Sequence, residues 1–368
     1  MLDQTDTPYI PQAGDDWDRA TPQDIGLDAS KLAEAVDYAR SVETLWTREL
    51  DRPVADMMHE PAPYNAKVGP LKERGEQSGV ILRGGRIAAE WGTTDRADMT
   101  FSATKSYLAI CFGLAYDRGL IPDVHAPVRE LVDNGCFDSA QNRDITWHML
   151  FQQTSEWSGE LWGKPDWLDH HRHTDMKGTK RAMKKPGSHW EYNDVRVNLA
   201  SLALLHVWKR PLPDVLREYV MDPIGASDTW EWHGYENSWI EIDGKKMQSV
   251  SGGGHWGGGL FINTFDHARV GLLMQRRGNW GGTQLLSEDF IAKALEPCPH
   301  NPNYGYMFWL NGPRERGPSA PASSFFLAGA GFNVIWVDPE HDLVTVLRWV
   351  QKEKADGVYS RILDALTD

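Results

Sequence analysis

Apolar positions first recur at helical spacing in "DASKLAEAVDYARSVETLW", where Leu32, Ala35, Val36 and Ala39 share one face. Asp28 stands where a cap belongs, so a helix is predicted after residue 28. The stretch "SGVILRGGRIAAEWG" breaks instead into two short β-rich runs about Gly84-Gly85, the form of a hairpin. From Ser102 to about Arg118 apolar residues fall almost all round, Leu108, Ile110, Cys111, Phe112, Leu114 and Ala115 among them, before Gly119 ends the run. A helix that is apolar on every side is a buried one. Between about 125 and 250, helical patches such as "VNLASLALLHVWKR" and "LPDVLREYV" alternate with Trp-, Gly- and Asp-rich loops, and little reads as strand. "GGGLFINTFDHARVGLLMQRRG" then gives a short apolar run and a helix. "FNVIWVDPEHDLVTVLRWV" gives two strands turning at Asp338-Pro339-Glu340, and "DGVYSRILDALTD" a closing helix.

Strands at both chain ends with helices between them predict an α+β fold. Its antiparallel β-sheet is assembled from both termini and flanked by N- and C-terminal helices, with a mainly helical subdomain inserted above one edge. The expected divisions are an extended arm over 1–28, an α/β subdomain made of 29–105 and 251–368, and a mainly helical subdomain over 106–250. No internal repeat is visible.

Hydrophobic residues at 41% and charged residues at 24% are ordinary globular usage. A net charge of -14 without a basic block argues against nucleic acid as a partner. The start carries no basic segment followed by an apolar core, and no apolar stretch approaches membrane-spanning length, so a cytoplasmic protein without a membrane partner is expected. Three widely spaced cysteines, Cys111, Cys136 and Cys298, suit neither a disulfide framework nor a four-thiolate zinc site. Ten of the seventeen tryptophans fall between residues 147 and 256. That clustering needs a reason.

The chemistry on offer lies in "FSATKSYLAI". A serine hydroxyl needs a neighbour to take its proton, and a lysine can do so only when neutral, a state that burial in apolar surroundings favours. Three residues of spacing put Ser102 and Lys105 on one helical face, with Ser102 at the positive end of the helix dipole. The tetrapeptide S-x-x-K also arises by chance, and serine is a good helix cap, so further residues must decide. "DHHRHTD" over 169–175 lacks defined ligand spacing and reads as a solvated loop; no metal site and no cofactor are expected. No G-x-S-x-G, H-E-x-x-H or phosphate loop is present. Gly252-Gly253-Gly254 and Gly257-Gly258-Gly259 read as places of close backbone packing.

In order along the chain stand "FSATKSYLAICFGLAYDRGLI", "ITWHMLFQQTSEWSG", "PGSHWEYNDVRVNLASLAL", "GGGLFINTFDHARVG", "YGYMFWL" and "GAGFNVIWVDPEHDLVTVL". This series, covering roughly residues 25–365, resembles the serine β-lactamase and penicillin-binding-protein superfamily, in particular its class C, carboxylesterase and 6-aminohexanoate-dimer hydrolase branch. The resemblance implies that Ser102 is the nucleophile and that Lys105 and Tyr192 transfer protons. It also implies an oxyanion hole from the backbone N–H groups of Ser102 and Ala330.

Two departures shape the expectation. Asp194 holds the position usually taken by asparagine, and a carboxylate close to Lys105 would keep it protonated; either Asp194 points away or Tyr192 is the base. The third family motif appears as "LAGAGF", without the cation that would grip a β-lactam or D-alanyl carboxylate. The expected activity is therefore hydrolysis of a small-molecule ester or amide through an acyl-enzyme. The alternatives are acyl transfer from the same intermediate, a β-lactamase or D-amino-acid peptidase, and a non-catalytic binding member of the fold. Trp157, Trp162 and Trp256 are expected to line the acyl pocket with His255 near its mouth; the oligomeric state stays open, a homodimer included.

Overall fold

Gly84 and Gly85 take φ values of 60° and 82°, which glycine adopts at no steric cost, and turn the chain between the antiparallel strands Ser78–Arg83 and Arg86–Trp91. In the computed structural model, which describes residues 8–14, 17–58, 60–171, 174 and 176–367, this hairpin closes one side of a six-stranded antiparallel sheet. The spatial order is Trp309–Leu310, Phe325–Gly329, Asn333–Asp338, Leu343–Arg348, Ser78–Arg83, Arg86–Trp91. Ser78 lies opposite Arg348 and Arg83 opposite Leu343, so the two ends of the chain meet in the middle of the sheet.

Alternation divides the strands between two cores. Ile335, Val337, Val344 and Val346 face the larger cluster, which includes the apolar helix Thr104–Asp117 and the helix Thr264–Gln275. Val334, Trp336, Leu343 and Leu347 face the terminal helices Ala29–Ser41 and Ala355–Asp364. The cap expected at Asp28 is present, its Oδ1 accepting from Lys31 N at 3.0 Å, and Leu32, Ala35 and Ala39 are buried on the inner face. The α+β class holds, with an antiparallel sheet flanked by the N- and C-terminal helices.

The reading of 106–250 as having little strand is corrected at its end. Glu231–Ile242 and Lys245–Val250 form a hairpin within a four-stranded sheet ordered Asp98–Met99, Gly259–Ile262, Glu231–Ile242, Lys245–Val250. A register shift between Gly234 and Trp239 accounts for the missed signal, because an irregular stretch moves the two-residue alternation out of phase part-way along the strand. Among the described residues ahead of 28, the indole of Trp17 donates to the Gly85 carbonyl at 2.8 Å, and Pro22–Ile25 is a short 3₁₀ turn. All three cysteines carry free thiols. Among the described residues no helix is long and apolar enough to cross a membrane.

Candidate active site

Residues 98 to 115 are buried with one exception, Ser102, which is partly open. It sits in the 3₁₀ turn Phe101–Ala103 that leads into the helix Thr104–Asp117. Phe101 just before it has φ +49°, an uncommon conformation for a bulky side chain, and its ring is fixed edge-on by Trp46 at 5.6 Å and Trp349 at 6.3 Å. Packing thus presents Ser102 at the helix entrance while every neighbour is withdrawn. Lys105 Nζ donates to Ser102 Oγ at 2.9 Å, and the lysine itself is 1% exposed.

Asp194 does not point away. Asn193 caps the helix Asp194–Trp208, its side chain accepting from Arg196 N, and this places Asp194 in the first turn with Oδ1 hydrogen-bonded directly to the Lys105 ammonium. Gly253 lies against that contact: a Cβ there would fall 2.3 Å from both Lys105 Nζ and Asp194 Oδ1, which explains the glycine. The other oxygen, Oδ2, is 3.5 Å from His255 Nδ1, and His255 Nε2 is 2.8 Å from Glu60 Oε1. His255 is therefore not at a pocket mouth but 2% exposed behind Lys105, because the glycine loop that carries it packs inward. Burial works against the Glu60 charge, yet the hydrogen bond and charge of His255 and the nearby Lys177 hold its carboxyl below the ordinary value.

The loop 169–175 departs from the solvated reading only at its start: Asp169 and His170 are buried, whereas His171 is half-buried and Thr174 exposed, and positions 172, 173 and 175 lie outside the described residues. Asp169 accepts from Asp194 N at 2.7 Å and so secures the helix start. Glu60, Asp169 and His255 each bring one nitrogen or oxygen within 4.8 Å of the others. Lys177, at 3.4 Å from Glu60, and the Asp194 N–H already engage these carboxylates, so the group reads as a hydrogen-bonded charge network.

Tyr192 closes the opposite side of Lys105, whose ammonium stands 4.7 Å from the ring centroid. The ring stacks on Trp309 at 5.7 Å and meets Tyr304 at 6.1 Å and Trp190 at 6.3 Å. Beyond Trp309 the Arg316 guanidinium lies 4.1 Å from the indole centroid, and burial lowers it to about 10. The strand Phe325–Gly329 ends against the Ser102 turn: a Cβ on Gly329 would lie 1.9 Å from the Thr100 carbonyl oxygen and 3.0 Å from Ser102 N. Ala330 follows directly, its carbonyl accepting from Asn333 Nδ2 at 2.8 Å.

With this arrangement in view, the comparisons agree. The beta-lactamase family model matches residues 78–367. The chain belongs to the beta-lactamase family. No curated protein sequence matches, but many solved structures share the fold. A family VIII carboxylesterase is 16% identical with a TM-score of 0.58, over 93% of this chain and 98% of that one. The simvastatin synthase of Aspergillus terreus is 14% identical with a TM-score of 0.58, over 92% and 98%. A penicillin-binding protein homologue from Caulobacter crescentus is 14% identical with a TM-score of 0.59, over 86% and 96%.

This member of the beta-lactamase family uses its tryptophans differently from the expectation. Trp157 and Trp256 are core residues: the Trp157 indole donates to the Cys136 carbonyl at 2.8 Å, and Trp256 is 0% exposed beside His255. Trp162 is half-buried, its carbonyl accepting from Asn237 at 3.0 Å. The stretches that carry Trp157 and Trp256 are themselves buried, so these two rings pack inward. The rings around Tyr192 are Trp190, Tyr304 and Trp309, which sequence reasoning passed over. Glu60 and Asp169 were missed as well, since nothing in the motif order ties positions 60, 169, 194 and 255 together.

Proposed function

We propose that the protein is a serine hydrolase that cleaves a small-molecule ester or amide through an acyl-enzyme on Ser102. The observation that carries this reading is the single open position of a buried segment, Ser102, with the Lys105 amine 2.9 Å from its hydroxyl. Ser102 Oγ adds to the substrate carbonyl carbon as its proton passes to Lys105, which Asp194 favours as the ammonium and which must first shed a proton to act as the base. The oxyanion forms against the N–H groups of Ser102 and Ala330 at the helix entrance, where fixed dipoles favour negative charge. The tetrahedral species then expels an alcohol or amine, which receives the proton through Tyr192. Water repeats the addition, and acid and serine are released.

Family membership, and a fold shared with a family VIII carboxylesterase, support the same class of reaction. The scheme itself needs no cofactor. An aromatic surround at Tyr192 suits an apolar leaving group, so p-nitrophenyl esters are expected to turn over first, linear amides weakly and a chromogenic cephalosporin little or not at all. Ser102→Ala should abolish both fluorophosphonate labelling and ester turnover. Turnover retained in that variant overturns the reading. Adding competing alcohols to the assay separates hydrolysis from acyl transfer by the products formed.

A further inference from the structure

We propose that Glu60 and His255 are positioning residues for Lys105 that act through Asp194: the imidazole engages one oxygen of that carboxylate and so limits its hold on the ammonium form of the lysine. The inference rests on the roles given above to Ser102 and Lys105.

The problem it answers is chemical. A carboxylate in direct contact favours the charged form of an amine, yet Lys105 must shed its proton to serve as a base. Asp194, however, does not face Lys105 alone: Oδ1 meets Lys105, and Oδ2 lies 3.5 Å from His255 Nδ1. The far nitrogen of the same ring meets Glu60 Oε1 at 2.8 Å. The ring therefore stands between two carboxylates, with Nε2 hydrogen-bonded to Glu60 and Nδ1 facing Asp194 Oδ2. Contact with the ring engages the Oδ2 side of Asp194 and so limits the hold of this carboxylate on the ammonium form of Lys105. Glu60, His255, Asp194 and Lys105 are all buried, so water and salt do little to screen the effect.

Other charged and titratable groups border this line on every side. Lys177 and Lys164 act on Glu60. Asp169 approaches Glu60 and His255 and receives the Asp194 N–H. The phenols of Tyr235 and Tyr304 lie within the field of Asp194, and Tyr192 faces Lys105. His255 links Glu60 to Asp194 through its two ring nitrogens.

The test is the pH dependence of kcat/KM on a p-nitrophenyl ester in the wild type, His255→Gln, Glu60→Gln, Asp194→Asn and the double variant Asp194→Asn/His255→Gln. With His255→Gln the limb on which activity rises with pH should move up by about one unit, the size of a close uncompensated charge. Glu60→Gln should move it the same way by less, and Asp194→Asn should move it down. In the Asp194→Asn background the shift caused by His255→Gln should largely vanish. A purely structural pair would lower the plateau and leave the limb in place, and that outcome overturns the proposal, as does an equal shift with and without Asp194. Lysine 13Cε shifts followed against pH in Ser102→Ala protein, with Lys105 assigned by its loss in Lys105→Met, read the same ionisation without catalysis. An unmoved midpoint in Ser102→Ala/His255→Gln ends the inference even if the hydrolase reading stands, whereas turnover by Ser102→Ala ends the hydrolase reading alone.

Discussion

Two buried charge networks flank the start of the helix Asp194–Trp208, and they are built from different cations. Around Glu156 the partners are guanidinium groups: Arg181 grips the carboxylate with Nη1 at 2.7 Å and Nη2 at 2.5 Å, and Arg196 adds Nη1 at 3.2 Å. Around Asp194 they are an amine and an imidazole, Lys105 and His255. A guanidinium cannot give up its proton in a protein, whereas an amine and an imidazole can. The first network fixes loop geometry, and the second can change its charge during a reaction. On this reading position 156 carries structure, and position 194, where the asparagine is replaced, is proposed to carry chemistry.

The sharpest contrast should come from removing one member of each network. Lys105→Met is expected to lower kcat/KM by about 10² to 10⁴, the range for losing a proton-transfer group. Its cost in stability should be the smaller of the two, because Asp194 keeps His255 and can take up a proton. Glu156→Ala is expected to reverse the pattern, costing about 3–5 kcal/mol by leaving buried guanidinium groups that cannot neutralise. Urea titration and ester kinetics on both variants check this; equal stability losses would remove the distinction.

Acid offers a second break. Burial opposes the Glu156 charge, but Arg181, Arg196 and the Lys184 N–H hold the carboxyl at about 2 against an ordinary 4.5. A lowered folded value means stabilisation that is fully present above about pH 4.5 and is lost as pH falls toward about 2. At roughly 1.4 kcal/mol per pH unit this amounts to about 3 kcal/mol. Wild-type protein should show that loss over this window in urea titrations, and Glu156→Gln should show a correspondingly flatter profile.

How much of this was legible beforehand follows from range in sequence. Ser102 and Lys105 are three residues apart on one helix, and Tyr192 lies in a short local motif, so spacing and order reached them. The hairpin about Gly84-Gly85 and the cap at Asp28 are equally local. Glu60 and His255 meet across almost two hundred residues, and no periodicity records such a meeting. Nor does it tell a pocket tryptophan from a core one: Trp157 and Trp309 both lie outside long helices, and only tertiary packing sends one to the Cys136 carbonyl and the other to Tyr192. The contact between Asp194 and Lys105 was framed as one of two alternatives, because a residue in the first turn of a helix can turn either way until its cap is known.

A smaller perturbation probes the joint between Lys105 and Asp194. Gly253 has no positive φ, so alanine is tolerated by the backbone, and the added methyl acts only through the 2.3 Å approach to Lys105 Nζ and Asp194 Oδ1. Gly253→Ala should therefore displace the amine from Ser102 and reduce kcat by about 10- to 100-fold, the scale of an ångström of misplacement. Fluorophosphonate labelling rates report the same step without turnover. Unchanged labelling would mean that the lysine can retreat without cost, and that the pair is not held by its surroundings.

The smallest effect is expected at Arg316, which extends the comparison to a third kind of cation. Its charge rests on the faces of Trp309 and Phe326, at 4.1 Å and 5.9 Å, and no carboxylate among the described residues pairs with it. Removing a buried cation is costly chiefly when it strands a buried anion. Arg316→Met strands none; it gives up a cation–π contact worth about 0.5–2 kcal/mol and recovers part of that by no longer desolvating a guanidinium. A net change within about 1 kcal/mol in urea titration is expected. A loss as large as that of Glu156→Ala would show that the permanence of the charge, rather than the partner left behind, sets the cost in both places.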